Sequence, residues 1–272
     1  MLKINKLCVS LAIMLGIVSI NTCVASQDND ISLKCASTKE NQKLNYAVKW
    51  YTNSAEKVAS YRQTFLIAND YVNKQVKNNK YKQKTWGVVL DIDETVLDNT
   101  WYNTYCGNSI TSEEEFSKYV VAPKKSTQLP GAKQFTCNVQ KLGGYVSLIS
   151  NRHASTKDKK VLDETIENLK SEGICFDQVI LDNDENNTKL NDKNPRFEAV
   201  NSGVYDENLM VWSNKLPKHT VIAFVGDNIQ DFPKLKQENI VKLDHDDELF
   251  TKFGNGYFIL PNPTYGSWLK NK

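Results

Sequence analysis

Trp86-Gly87-Val88-Val89-Leu90-Asp91-Ile92-Asp93-Glu94-Thr95 is a short apolar run that ends abruptly in two carboxylates spaced two apart. Gly87 to Leu90 is flanked by lysines upstream and acids downstream, the pattern of a central parallel strand covered on both faces. In open α/β sheets ligands lie beyond the carboxyl ends of the strands, which would put Asp91 and Asp93 in the crevice where chemistry is done. Asp-x-Asp also occurs in ordinary turns and helix caps, because aspartate favours both. The other strands decide between these readings.

Tyr145 to Ile149 reads as a second strand leading into Ser150-Asn151-Arg152, and Gln178 to Leu181 as a third, followed by an asparagine- and lysine-rich stretch from Asp182 to Arg196. Val221 to Val225 is a fourth, ending in Gly226-Asp227-Asn228 with Asp231 one helical turn on. Weaker strands are expected at Ile240 to Leu243 and Tyr257 to Leu260, and residues 201–219 read as a surface insertion without a period. Between the strands lie helical patterns. Leu44, Val48, Tyr51, Ala55, Val58, Phe65 and Ala68 predict one long helix over 44–75. Ala132 to Leu142, Asp158 to Lys170 and a start near Phe197 to Val200 predict others. This alternation predicts an α/β fold, a doubly wound parallel sheet with an N-terminal helix. An aromatic-rich segment over about 99–131 interrupts it, with a capping-box pattern at Thr111-Ser112-Glu113-Glu114-Glu115, and reads as a small cap insertion.

Met1 to about Ser26 has the layout of a secretory signal peptide: Lys3 and Lys6, an apolar run from Leu7 to Ile20, then small and polar residues. Cleavage after Ala25 would leave residues 26–272; the alternative makes Cys23 a lipid-attachment cysteine, the route by which the chain would meet a membrane. Either way the expected location is outside the cytoplasm, periplasmic, outer-membrane associated or secreted. Loss of the two lysines takes the formal charge of +2 to about zero, which argues against a nucleic-acid polymer as partner. Cys35, Cys106, Cys137 and Cys175 remain, enough for two disulfides in any of three pairings. With no close cysteine pair and scattered histidines (His153, His219, His245), nothing in the spacing resembles a zinc site.

Asp91, Asp93, Asp227 and Asp231 would therefore converge at one sheet edge with Ser150 and a lysine from the loop after the third strand. Carboxylates crowded in a crevice repel one another unless a cation sits among them, and oxygen-only donors imply a hard cation such as Mg²⁺. One aspartate can then attack phosphorus while its neighbour gives a proton to the leaving oxygen.

Asp91-Ile92-Asp93-Glu94-Thr95, Ser150-Asn151-Arg152 and Gly226-Asp227-Asn228-Ile229-Gln230-Asp231 together resemble the motifs of the haloacid dehalogenase superfamily. The likeness is closer to bacterial class C acid phosphatases, the lipoprotein e(P4) family of outer-membrane nucleotidases. It extends to Trp50-Tyr51-Thr52-Asn53-Ser54-Ala55-Glu56, Leu129-Pro130-Gly131-Ala132 and Leu260-Pro261-Asn262-Pro263-Thr264-Tyr265-Gly266-Ser267-Trp268. The resemblance implies Asp91 as nucleophile, Asp93 as general acid and then base, and Ser150 as the hydroxyl on a phosphoryl oxygen. It implies a magnesium held by Asp91, the Asp93 carbonyl and Asp227, with Asp231 behind them. Thr95, Asn151 and Arg152 would lie on the substrate side, and Tyr119 with Tyr265 would stack a nucleobase. Three features depart from the family, the first being Tyr119, where the family's position resembles Trp. Asn191-Asp192-Lys193-Asn194-Pro195-Arg196 lacks the family's serine, and Lys193 is chosen over Lys189 because it keeps the spacing to Arg196; the lipobox is weak. The function implied is a Mg²⁺-dependent acid phosphatase acting on phosphomonoesters such as nucleoside 5'-monophosphates. The alternatives are transfer of the phosphoryl group to an acceptor alcohol, or a nucleotide-binding surface protein without turnover.

Overall fold

The computed structural model describes residues 46–102, 112–183, 185 and 191–271. Six strands form the main sheet: β1 (Trp86–Leu90), β4 (Tyr145–Ala154), β5 (Gln178–Asn183), β6 (Met210–Trp212), β7 (Thr220–Gly226) and β8 (Tyr257–Ile259). Their order is β6-β5-β4-β1-β7-β8, parallel throughout except for β6, which runs antiparallel to β5. Every residue of β1 is buried, as its uninterrupted apolar run requires of a strand covered on both faces.

Two apolar layers cover the sheet. On one face Val88, Leu90 and Leu148 pack with Phe65 of α2 (Ala55–Asn79), Phe135 of α4 (Ala132–Lys141) and Leu162 of α5 (Lys160–Ser171). On the other, Val89, Ile149 and Ile180 pack with Phe197 and Val200 of α6 (Asn194–Ser202). Burying each such side chain stabilises the fold by about 1.5–3 kcal/mol. The Phe65 and Phe135 rings meet at 5.7 Å. That approach depends on Gly131, whose φ is +97° and where a Cβ would fall 2.9 Å from Cβ of Phe65. Cys137 of α4 and Cys175 before β5 form a disulfide; Cys35, Cys106 and Cys23 lie outside the described residues, as does the leader.

Several expectations are corrected. The single helix over 44–75 is two, α1 (Tyr46–Asn53) and α2, broken at Ser54, whose hydroxyl caps α2 by accepting from the Lys57 amide. The break rotates the apolar stripe: Lys57, Tyr61, Phe65, Ala68 and Val72 are buried, and Val58 faces solvent. Residues 201–219 contain β6, whose Met210 and Val211 are buried but whose three residues are too few to show a period. No strand forms over Ile240 to Leu243. Ile240 ends α7 (Gln237–Ile240), Val241 is exposed, and β7 takes β8 as its outer neighbour instead.

The insertion is rooted by a two-stranded antiparallel ladder, β2 (Leu97–Asp98) with β3 (Thr127–Gln128). Lys57 of α2 grips this root through Asp98 at 2.5 Å. Inside it are α3 (Glu113–Phe116), begun by Ser112 accepting from the Glu115 amide at 3.2 Å, and a π-helical turn over Ser117–Val121. Thr111 of the predicted capping box lies outside the described residues.

Candidate active site

Leu90 is paired with Leu148 on one side and Val225 on the other, so the next few residues of β1, β4 and β7 emerge side by side. Those residues are Asp91, Ser150 and Asp227. Beyond Asp91 the chain turns sharply: the Val96 and Leu97 amides donate to the Ile92 carbonyl at 2.9 Å, and Glu94 sits at φ +55°.

Asp91 is 7 % exposed and carries a contact from the ammonium of Lys193, which also donates to Asp231 at 2.6 Å. Lys193 is the residue before α6, placed so that its buried side chain crosses the ends of β1 and β7. Burial alone would push its ammonium down, but Asp231 and Asp91 outweigh this and hold its pKa up. Lys189 lies outside the described residues. Asp231 is delivered by a 3₁₀ turn over Ile229–Asp231 and accepts from the Asn228 amide at 2.8 Å. A glycine must precede this turn, since a Cβ on Gly226 would fall 2.3 Å from Cβ of Asp231.

The two carboxylates of the Asp-x-Asp pair lie in opposite environments. Burial pushes Asp91 up to about 7 despite Lys193, with Asp231 and Asp93 adding to the rise. Asp93 is half-buried, and the Arg152 guanidinium outweighs its loss of solvent and holds its carboxyl below the ordinary aspartate range. Arg152 donates to it from Nη2 at 2.8 Å and from Nε at 3.1 Å, Ser150 donates at 2.8 Å and Asn99 at 2.7 Å.

Of the predicted substrate-side residues, Asn151 and Arg152 line the cavity with Ser150, although Arg152 spends its guanidinium on Asp93 and Thr165. Asn151 is held by Arg196, which also donates to the Ser150 carbonyl at 2.7 Å; the Lys193-x-x-Arg196 spacing serves to pin this strand end. Thr95 is corrected: fully buried, it donates to Asp227 at 3.1 Å and positions that carboxylate instead of facing substrate. Tyr119 is corrected too. It does not line the cavity, and its ring lies against Lys118 at 4.8 Å. Phe116, the last residue of α3 before the π turn closed by the Ala122 amide on the Ser117 carbonyl, lines the cavity instead.

The cavity has a volume of about 680 Å³. Its other aromatic walls are Tyr102 and Tyr265, with Leu269 beside them. Reading the sequence also missed Asn99, Glu94 and Asn262, the last donating to Asp227 at 2.8 Å. Asn262 stood inside the quoted Pro-Asn-Pro-Thr-Tyr segment, but nothing in spacing assigned it a partner.

Carboxylate oxygens of Asp91, Asp227 and Asp231 lie within 4.8 Å of one another. Lys193 is the ammonium among them, so negative charge is in excess, and burial with the Asp231 and Asp91 charges pushes Asp227 well up. That surplus, from oxygen donors alone, fits a hard divalent cation. Each of the three is also held by protein donors, Asp91 and Asp231 by Lys193, Asp231 by the Asn228 amide and Asp227 by Thr95 and Asn262, so the trio is the group that could hold a cation.

Residues 19–268 match the HAD superfamily, subfamily IIIB (Acid phosphatase). The fold is similar to that of the class C acid phosphatase from Bacillus anthracis, at 24% sequence identity and a TM-score of 0.62, covering 87% of this chain and 88% of that one. The same protein with tungstate bound gives the same values, 24% and 0.62, over 87% and 88% of the two chains. With a family match spanning nearly the whole chain and laid over a cluster of buried aspartates at the strand ends, the chain belongs to subfamily IIIB of the HAD superfamily, the acid phosphatases, and is a phosphomonoesterase.

Proposed function

We propose that the protein is a Mg²⁺-dependent acid phosphatase acting outside the cytoplasm on nucleoside 5'-monophosphates, through a phosphoryl group carried on Asp91. The observation that carries this reading is the Asp91 carboxylate itself: buried at the wall of the cavity, contacted by Lys193, and grouped with Asp227.

An Asp91 oxygen attacks phosphorus as the ester oxygen leaves, forming an aspartyl phosphate. Asp93 gives the leaving oxygen a proton, then takes one from the water that frees phosphate. Lys193 offsets charge on Asp91 and the phosphoryl group, and Ser150 with the end of β4 orients them. A divalent cation held by Asp91, Asp227 and the Asp93 carbonyl would neutralise phosphoryl oxygens. Because Arg152 favours the Asp93 anion, the proton Asp93 must supply is gained on the acid side of neutrality, and activity falls as pH rises provided that Lys193 and a bound cation, offsetting the burial that pushes Asp91 up, would keep Asp91 as the attacking anion there.

The nucleotide reading is supported by space and by rings. A bare phosphate needs little of about 680 Å³, and Tyr102, Phe116 and Tyr265 offer stacking surfaces to any base. Export is supported by the leader sequence and by the Cys137–Cys175 disulfide, a bond that persists in oxidising compartments. The test is phosphate release from nucleoside monophosphates and simple esters, with Mg²⁺ and with chelator. Mg²⁺-dependent hydrolysis favouring nucleotides is expected, and chelator-insensitive turnover would remove the metal from the account.

A further inference from the structure

Glu94 is a buried acid with no part in the chemistry above. It is 1 % exposed and does not line the cavity. Its backbone is fixed independently of its side chain: the amide donates to the Leu97 carbonyl at 2.8 Å and the carbonyl accepts from the Tyr61 hydroxyl at 2.6 Å. Held there at φ +55°, the side chain reaches two partners. One carboxyl oxygen accepts from the Asn99 amide at 2.9 Å, and the other meets the Tyr265 hydroxyl.

Tyr265 is a cavity residue on a turn that has a second anchor in the active site. Asn262 donates to Asp227 at 2.8 Å while its own oxygen accepts from the Thr264 amide at 2.9 Å and the Thr264 hydroxyl at 2.5 Å. The backbone of the turn is thus tied to Asp227 and the tip of the ring to the residue three past Asp91. A ring held at one end can swing, and a ring held at both presents one face.

We propose that Glu94 is a specificity-determining positioning residue, whose carboxyl group holds the Tyr265 hydroxyl so that the ring meets the base of a nucleotide whose phosphate lies at Asp91. The inference rests on the nucleotide reading of the cavity. Since Glu94 reaches the cavity through Tyr265, its removal acts on the nucleoside and not on the phosphate.

The experiment is a double-mutant cycle on the Mg²⁺-loaded full chain, with adenosine 5'-monophosphate and glycerol phosphate as substrates. Glu94→Leu should raise KM for the nucleotide about tenfold, the worth of one lost hydrogen bond, with kcat little changed and glycerol phosphate kinetics kept. Glu94→Gln, which can still meet both partners, should restore the nucleotide KM. Tyr265→Phe should reproduce the Glu94→Leu rise in nucleotide KM, and in that background Glu94→Leu should add nothing further. Should Glu94→Leu fail to fold, Tyr265→Phe decides alone: an unchanged nucleotide KM overturns the proposal. Equal losses on both substrates would place Glu94 behind Asn99 and Asp93 and also overturn it. A wild-type enzyme with no preference for the nucleotide would overturn the nucleotide reading and this inference together, whereas a preference that survives Glu94→Leu overturns the inference alone.

Discussion

The cavity has two walls of different origin. The carboxylate wall is made by strand ends in register, where Asp91, Ser150 and Asp227 lie at or towards the ends of β1, β4 and β7 and each side chain is held by a partner from another element, Lys193, Asp93 and Thr95 in turn. The aromatic wall is made by segments outside the main sheet: Tyr102 and Phe116 from the insertion, Tyr265 and Leu269 from the chain after β8. A wall built from the sheet cannot move without the core, so it suits chemistry that every substrate shares. A wall built from loops can vary without disturbing the core, so it suits the choice among substrates.

Asp91→Asn tests the first half most severely. The amide is nearly isosteric but cannot attack phosphorus, so turnover of every substrate should fall by at least ~10³-fold while the circular dichroism spectrum stays native. A loss confined to nucleotides would erase the distinction between the walls. Lys193→Met comes next. It removes the cation shared by Asp91 and Asp231, and kcat should fall about 10²-fold for nucleotides and simple esters alike, measured at saturating Mg²⁺.

The second half is tested by replacing Phe116 and Tyr265 together with alanine. Stacking is worth about 1–3 kcal/mol per base, so kcat/KM for a nucleoside monophosphate should drop about tenfold or more while glycerol phosphate is little affected. An equal drop for both substrates would make the rings structural supports.

The smallest effect is one of stability, and it belongs to the carboxylate wall. Asp91 titrates near 7 in the folded chain against about 4 when unfolded, so between those values the folded state keeps a proton that the unfolded state releases. Stability of the metal-free protein should therefore fall as pH rises from about 4 to 7. Asp93, shifted down, lends stability that is complete above about 4 and is lost only below it, outside this window. A divalent cation should raise Tm by a few °C more at pH 8 than at pH 5, as linkage requires. A flat Tm profile without metal would contradict the picture of crowded, uncompensated carboxylates.

The same contrast explains what could be read from sequence. Asp91, Asp93, Ser150 and Asp227 were legible because an apolar run followed by a polar group reports the end of a buried parallel strand, and register does the rest. Lys193 was legible through its spacing to Arg196. Of the aromatic wall only Tyr265 was named, and through the resemblance, not through any spacing. Tyr119 was named by resemblance to the family, whereas Phe116, at the end of α3, is the insertion ring beside Tyr102 on the cavity, a placement no spacing announced. Thr95 was placed on the substrate because a hydroxyl beside two acids does not announce that it serves Asp227, which follows the adjacent strand β7 but lies 132 residues away in sequence. Likewise β6 and the lost strand at Ile240 to Leu243 depended on edge pairing, which three or four residues do not encode locally.

The most direct test of the central claim is acid-quenched turnover followed by peptide mass spectrometry. With a nucleoside monophosphate and Mg²⁺, the peptide containing Asp91 should carry the added mass of one phosphoryl group at early times, and Asp91→Asn should abolish it. Rapid phosphate release with no phosphoryl group on the enzyme, or with the group on another residue, would contradict Asp91 as the nucleophile and with it the account of the carboxylate wall.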